Sequence, residues 1–353
     1  MRIVGRQRWG LLAVIGIVAL GVGFKTATAT QGGTPQTTSQ TTSQTSSQTP
    51  SQTTNLTVAD IDRLMKQVSN WGRWGKDDQR GAVNLITAAK RKQAAALVKA
   101  GISVSLSHNP STEKTVDNPS PLELTFSPRR PGSPVALDTW RVAHHGFTFS
   151  HLDALCHWFY QGRMFNGFDE SEVTAQGCGK NGIEAMKDGI LTRGVLIDIP
   201  RLKHVPYLEP GTRITREDLD AWVKMARVTI TSGDAVLVRT GRWGRRAVVG
   251  PFSVQQLSAG LHVSTVPFFK EHDVAVMGSD VGLDVTPFGV DGVVNPVHTL
   301  VIAGMGVAVL DNADLESLAE TAARLNRWEF MFSGAPIPVT GASGSLLNAI
   351  ATF

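Results

Sequence analysis

The sequence predicts an α/β domain built on a β-rich core, and three observations carry that expectation. Apolar, β-branched runs of buried-strand type recur at residues 194–199 (GVLIDI), 234–240 (DAVLVRT), 274–280 (VAVMGSD) and 307–310 (VAVL). Helical patterns accompany them, notably REDLDAWVKMA behind Thr215 and ADLESLAETAARL at 313–325. The spacing lacks the regular βαβ alternation of a doubly wound sheet, which favours a mixed arrangement. No GxGxxG follows a strand and no GxxxxGK[ST] is present, so nucleotide and dinucleotide chemistry lose support.

Residues 1–29 read as a secretory signal peptide. Arg2, Arg6 and Arg8 precede an apolar run at 10–24, and Ala27-Thr28-Ala29 forms a small-residue cleavage pattern. That run is shorter than the roughly 20 residues that cross a bilayer. A periplasmic or secreted protein with no stable membrane insertion after cleavage is therefore expected. The segment holds four cations (Arg2, Arg6, Arg8, Lys25) and no anion, so its removal takes the formal charge from +4 to 0. The basic pI thus gives no support to a nucleic-acid partner. Residues 30–55 repeat Thr/Ser-Thr/Ser-Gln and bury too little to offset ordering entropy, so a disordered linker is expected. Residues 56–353 then form the folded domain, long enough for one large core.

Within that domain Thr57 caps a helix running to about Val68, with Ile61, Leu64 and Met65 at helical spacing. Residues 87–100 continue as a second helix closed by Gly101, and 102–106 read as a strand. Residues 109–133 are Pro- and Ser-rich and are expected to be a long loop, followed by a strand at 135–145. FTFSHLD at 147–153 alternates and reads as extended.

The stretch SHLDALCHW at 150–158 concentrates the chemistry. In an extended segment His151 and Asp153 point to one side, and His157 shares their parity while Cys156 does not. An imidazole and a carboxylate on one face suit zinc or manganese. The same spacing also fits hydrogen-bonded polar residues at a strand end, and HxDxxxH alone does not choose between them. Cys156 reads as a small buried hydrophobe rather than a nucleophile. With Cys178 as the one other cysteine, the count excludes a disulfide scaffold and leaves their pairing open.

Seven blocks in order resemble the cyclase-like metal-dependent hydrolases, a family that includes the bacterial kynurenine formamidases and isatin hydrolase. They are WGRWGKDDQRGAVNLIT (71–87), HG…SHLDALCHWFYQGRMFNG (145–167), RGVLIDIPR (193–201), GDAVLVRTG (233–241), GSDVGLD (278–284), NPVHTLVIAGMGVAVLDNADLESLA (295–319) and GASGSLLN (341–348). The chain is most similar to the larger branch, labelled simply as cyclases. The resemblance implies a swivelling β/β/α fold and arylformamidase-type hydrolysis of a small amide, lactam or lactone, with an N-formylkynurenine-like substrate as the specific reading. It implies metal ligands at His151, Asp153, His298 and Asp311, a proton carrier at His157, and homo-oligomers. The formamidases carry a further ligand four residues before the first motif histidine, where this chain has Phe147. One firmly held zinc or manganese ion is therefore expected, with His144 or His145 the residues nearest the gap.

Trp158, Phe147 and Phe165 are the expected substrate-pocket residues, Trp158 because it adjoins His157. Trp71 and Trp74 fit either a pocket or the core. Asp280 and Asp284 fit either a supporting role at the metal or a structural one in their turn. Arg239 suits a substrate carboxylate or an internal acid. The same ligands would also serve a metal-dependent cyclase or dehydratase, and Phe147 admits a non-catalytic periplasmic binding protein.

Overall fold

Thr57 opens the first helix, α1 (Val58–Val68), through a reciprocal capping box with Asp60. The computed structural model describes residues 56–353, so the expected signal peptide and linker lie outside the described residues. Helix α1 buries Ile61, Met65 and Val68 against the wide helical turn Thr299–Met305. Helix α2 (Ala88–Ala95) stops short of the expected Ala100. The backbone N–H groups of Ala100 and Gly101 instead donate to the carbonyl of Phe353, the last residue, which ends helical pairing there. Helix α3 (Arg216–Ala226) repeats the capping box with Thr215 and Asp218. Its Trp222 is fully buried and donates its indole N–H to the Leu196 carbonyl at 2.9 Å. Helix α4 (Arg242–Val249) and helix α5 (Glu316–Leu325) complete the longer helices used below.

Nine strands form the central sheet. In chain order they are β1 (Ser103–Ser105), β2 (His151–Asp153), β3 (Ile190–Asp198), β4 (Ala235–Arg239) and β5 (Val276–Ser279). The remaining four are β6 (Ala308–Asp311), β7 (Glu329–Gly334), β8 (Gly344–Leu346) and β9 (Ile350–Thr352). Their spatial order is β1-β9-β7-β3-β4-β5-β6-β2-β8. Strands β3 to β6 are mutually parallel and buried along their length, as their continuous apolar runs require. The outer strands all pair antiparallel. The fold class is thus the mixed α/β arrangement expected, with strands β7, β8 and β9 not anticipated from their short, weakly alternating sequences.

The carboxyl ends of the parallel strands carry a row of charge: Asp198, Arg239, Asp280 and Asp311. Such strand ends are where open α/β sheets place ligands. Arg239 donates to Asp198 at 2.9 Å and to Glu316 at 2.6 Å, so it serves internal acids and not a substrate carboxylate. The buried Asp280 carboxylate accepts the backbone N–H groups of Thr240, Gly241 and Arg242, holding the turn into α4. Of the two roles open to Asp280, the structural one is the one seen.

Three expectations need correction. The 109–133 segment is not all loop, because Glu123–Phe126 pairs with Asp138–Arg141 in an antiparallel hairpin. The strand expected over 135–145 ends at Arg141, and the chain then turns, with Gly146 N–H donating to the His144 carbonyl at 2.8 Å. The extended segment of 147–153 narrows to β2, and His157 N–H closes a turn onto the Ala154 carbonyl. Strand parity therefore does not reach His157. Cys156 is buried as expected, and the pairing with Cys178 that the cysteine count leaves open is a disulfide.

Candidate metal centre

Antiparallel pairing of β2 with β6 sets His151 opposite Asp311 and Asp153 opposite Val309. Side chains two apart on a strand share a face, so His151 and Asp153 project together, with His151 Nε2 3.4 Å from Asp153 Oδ1. His298 ends the short helix Pro296–His298 and reaches Asp311 Oδ2 with its Nε2 at 3.1 Å. All four of these expected ligands are buried and lie in one cluster.

His145 joins them from the turn before β2, its Nδ1 3.1 Å from Asp153 Oδ1. Two groups of donor atoms result, His145/His151/Asp153 and Asp153/His298/Asp311, each within 4.8 Å and sharing Asp153. A nitrogen donor thus stands two residues before position 147. The Phe147 ring lies instead beside Gly282, close to His298 and Asp311.

Tautomers decide what this cluster can hold. His151 Nδ1 donates to the Phe149 carbonyl at 2.8 Å, which leaves Nε2 as the lone-pair nitrogen of the neutral ring. His298 Nδ1 likewise donates to Asp284 Oδ2 at 2.6 Å, while its Nε2 faces Asp311. With each Nδ1 engaged, each ring presents Nε2 to a carboxylate oxygen, a place that a proton or a cation can fill. In addition, Asp153 Oδ1 and Asp311 Oδ1 are buried oxygens that no donor among the described residues meets in hydrogen-bonding geometry. The nitrogen and carboxylate donors fit a divalent ion of the zinc or manganese type.

Without an ion, a proton takes that place. Burial opposes charging His298, but Asp311 and Asp284 outweigh it and raise its pKa well above the usual imidazole value. Burial also opposes the Asp153 anion, and His157, His145 and His151 overcome it, holding the carboxyl well below its usual range. His157 goes the other way. Burial pulls it down to about 4, Asp153 opposes the shift, and the neighbouring His145, His298 and His151 reinforce it. It is therefore a neutral imidazole at pH 7, stacked on the His145 ring at 3.8 Å with Nε2 3.9 Å from Asp153 Oδ2.

Trp158 stands over the cluster, its ring 5.4 Å from His298 and 5.8 Å from His157. Phe147 lines two adjoining cavities. One of about 290 Å³ also meets His145, Val254 and Gln255, and one of about 260 Å³ meets Gly282 and Asp284. Phe165 is a correction, since it is fully buried against Trp74 and Gly306 and belongs to the core. Trp71 also turns away, its indole N–H bonded to the Ala303 carbonyl at 2.7 Å.

Sequence reasoning missed Asn312. Its side chain donates to the Gly146 carbonyl at 2.7 Å and accepts from Arg242 at 2.9 Å, tying the His145 turn to the end of β6. The residue adopts φ 54°, a left-handed conformation that asparagine tolerates well, and Asn directly after a strand-end acid is the signal that could have found it.

Of the two roles open to Asp284, support of His298 is the one seen, and it makes a direct prediction. Asp284→Asn keeps an acceptor for the backbone N–H groups of Val297 and His298 but removes the charge that orients the ring. Metal affinity is expected to fall roughly 10–100-fold, the cost of losing such an outer partner. A competition titration with a chelator of known affinity measures it, and wild-type affinity would count against this role.

Comparisons with known proteins agree with this architecture. A family model described as "Putative cyclase" matches residues 103–285. A solved structure described as a novel cyclase is 32% identical with a TM-score of 0.73, covering 82% of this chain and 99% of that one. Isatin hydrolase A from Ralstonia solanacearum is 18% identical at a TM-score of 0.53, covering 75% of this chain and 95% of its own. Isatin hydrolase A from Labrenzia aggregata, bound to benzyl benzoate, is 17% identical at 0.51, covering 73% and 94%. At that identity the two isatin hydrolases show a shared fold. No curated protein matches the sequence.

Proposed function

The chain belongs to the cyclase family, and from that premise we propose that it is a metal-dependent hydrolase of a small amide, lactam or lactone, with arylformamidase-type chemistry. The observation that carries the reading is the pair of imidazoles, His151 and His298, each presenting Nε2 to a buried carboxylate. His145, His151, Asp153, His298 and Asp311 would hold the ion, zinc or manganese. Such an ion, when bound, acidifies a water and polarises a carbonyl.

The chain's own groups supply the rest. His157, neutral and 27% exposed at its side chain, accepts a proton at Nε2 and returns it to the leaving nitrogen or oxygen. Asp153 Oδ2 lies on the side of that nitrogen and stabilises the imidazolium formed there. Trp158 and Phe147 offer ring faces beside the cluster, which favours a planar or aromatic substrate. Similarity to isatin hydrolase supports the lactam branch of this reading, and the signal-like residues 1–29 support action outside the cytoplasm.

The test is metal analysis of purified protein together with turnover of N-formylkynurenine, isatin and a simple lactone. Stoichiometric zinc or manganese and chelator-sensitive hydrolysis of at least one substrate are expected. Metal binding with no hydrolysis of any of the three would overturn the hydrolase reading.

A further inference from the structure

Neither cavity beside the cluster is lined by a lysine or an arginine. The one of about 290 Å³ runs past Asp117, whose carboxylate is taken by Arg246 at 2.6 and 3.1 Å. Arg242 lies 3.6 Å from the same carboxylate, but its side chain is 1% exposed and no ligand in the cavity reaches it. The cavity of about 260 Å³ runs past Asp284, which is committed to His298 at 2.6 Å. Beyond His145, a member of the cluster, no lining side chain is left to pair with a charge on a ligand.

The remaining walls are apolar or neutral. Phe147 and Val254 line both cavities, Phe149 and Pro119 add to the first, and Phe288 and Val294 to the second. Hydrogen-bonding capacity comes from uncharged groups such as Ser253, Thr286 and the Gln255 amide. Each cavity lies near the lower end of ligand pockets, about 300 Å³, which suits a compact substrate. A divalent ion at the cluster would leave no surplus positive charge, because the Asp153 and Asp311 carboxylates already oppose it.

We propose that the site selects an uncharged substrate, a neutral lactam, lactone or formanilide, and rejects acyl compounds that carry a free carboxylate. This rests on the hydrolase reading above and narrows it. A carboxylate brought into either cavity would exchange its water shell for walls that offer no cation, and an unpaired buried acceptor costs most when it is charged. N-formylkynurenine, with its α-carboxylate, falls on the rejected side, and isatin and a simple lactone fall on the accepted one. The same walls serve turnover. Ring opening adds water across the acyl C–N or C–O bond; the acyl carbon takes the hydroxyl, and the leaving nitrogen or oxygen takes the proton. The new carboxyl then ionises beside no counter-charge, which favours its release to solvent.

Calorimetric titration of the zinc-loaded full chain with benzohydroxamate and para-carboxybenzohydroxamate tests this. The two probes share a metal-binding head and a ring and differ by one carboxylate. The neutral probe is expected to bind roughly 10–100-fold more tightly, the cost of an unpaired charged acceptor. Gln255→Arg places a cation at an exposed position that lines both cavities. It is expected to improve binding of the carboxylated probe about fivefold and to leave the neutral probe unchanged. Equal affinities in the wild-type protein, or N-formylkynurenine turned over faster than isatin and a simple lactone, would overturn the charge selection and leave the hydrolase reading standing. Failure of the zinc-loaded protein to bind either probe would count against the metal centre itself and take this inference with it.

Discussion

Asp153→Asn is expected to remove bound metal and hydrolysis together, the largest effect of any single substitution in the site. Asp153 belongs to both groups of donor atoms, so its loss weakens every arrangement of ion the cluster can form. It is fully enclosed, 1% exposed at its side chain, and no donor among the described residues meets its Oδ1 in hydrogen-bonding geometry. Asparagine fills the same volume and turns one acceptor into a donor aimed at imidazoles and ion alike. Affinity should fall by more than the roughly 10–100-fold that an outer partner costs. The measurement is denaturant unfolding with and without zinc or manganese. At a hundred times Kd the wild-type protein should gain about 2.7 kcal/mol from bound ion, and the variant none. Equal metal stabilisation of the two proteins would remove Asp153 from the ligand set.

His157→Ala is expected to keep the metal and lose about 10²–10⁴-fold in kcat, the range that a positioned general acid–base contributes. The geometry separates this variant from the first. His157 stands 3.9 Å from Asp153 and is absent from both donor groups, yet it faces the same space. Its neutral form follows from burial, so it meets the substrate ready to accept a proton. Because it stacks on His145, metal content must be measured alongside turnover. Full activity with full metal would show that the proton moves by another route. Lost activity with lost metal would show that His157 acts only by bracing His145.

The sequence signals differ sharply in reach. Alternation over 147–153 places His151 and Asp153 on one face, because period two is a property of a single strand. Asp311 and His298 leave no local trace of their meeting with β2, since antiparallel pairing of β6 is a non-local event. They are reached only through resemblance to a family. Strand parity assigns His157 to the same face, yet it arrives by a turn at Ala154 instead. His145 is an open alternative in the sequence because nothing in its spacing shows a turn reversing at Gly146. Helix α2 is overextended by its run of Ala and Lys, which favours helix well past Ala95. It tightens instead into turns at Leu97 and Val98, and the distant Phe353 carbonyl then takes the N–H of Ala100. Phe165 shows the limit of proximity: seven residues after Trp158, it turns into the core. The hairpin at 123–141 is hidden by the Pro and Ser residues around it, which read as loop.

The pairing of β2 with β6 also sets the order in which the centre is made. A growing chain presents His151 and Asp153 early, then must produce β3, β4 and β5 before Asp311 emerges to complete the donors. Half a ligand set binds an ion weakly, so the cation cannot template the early stages of folding. Non-local strand pairing is the slow step in such topologies. In the proposed centre metal capture would consequently follow the pairing of β6 with β2, and a bound ion would report that these two strands have met in register.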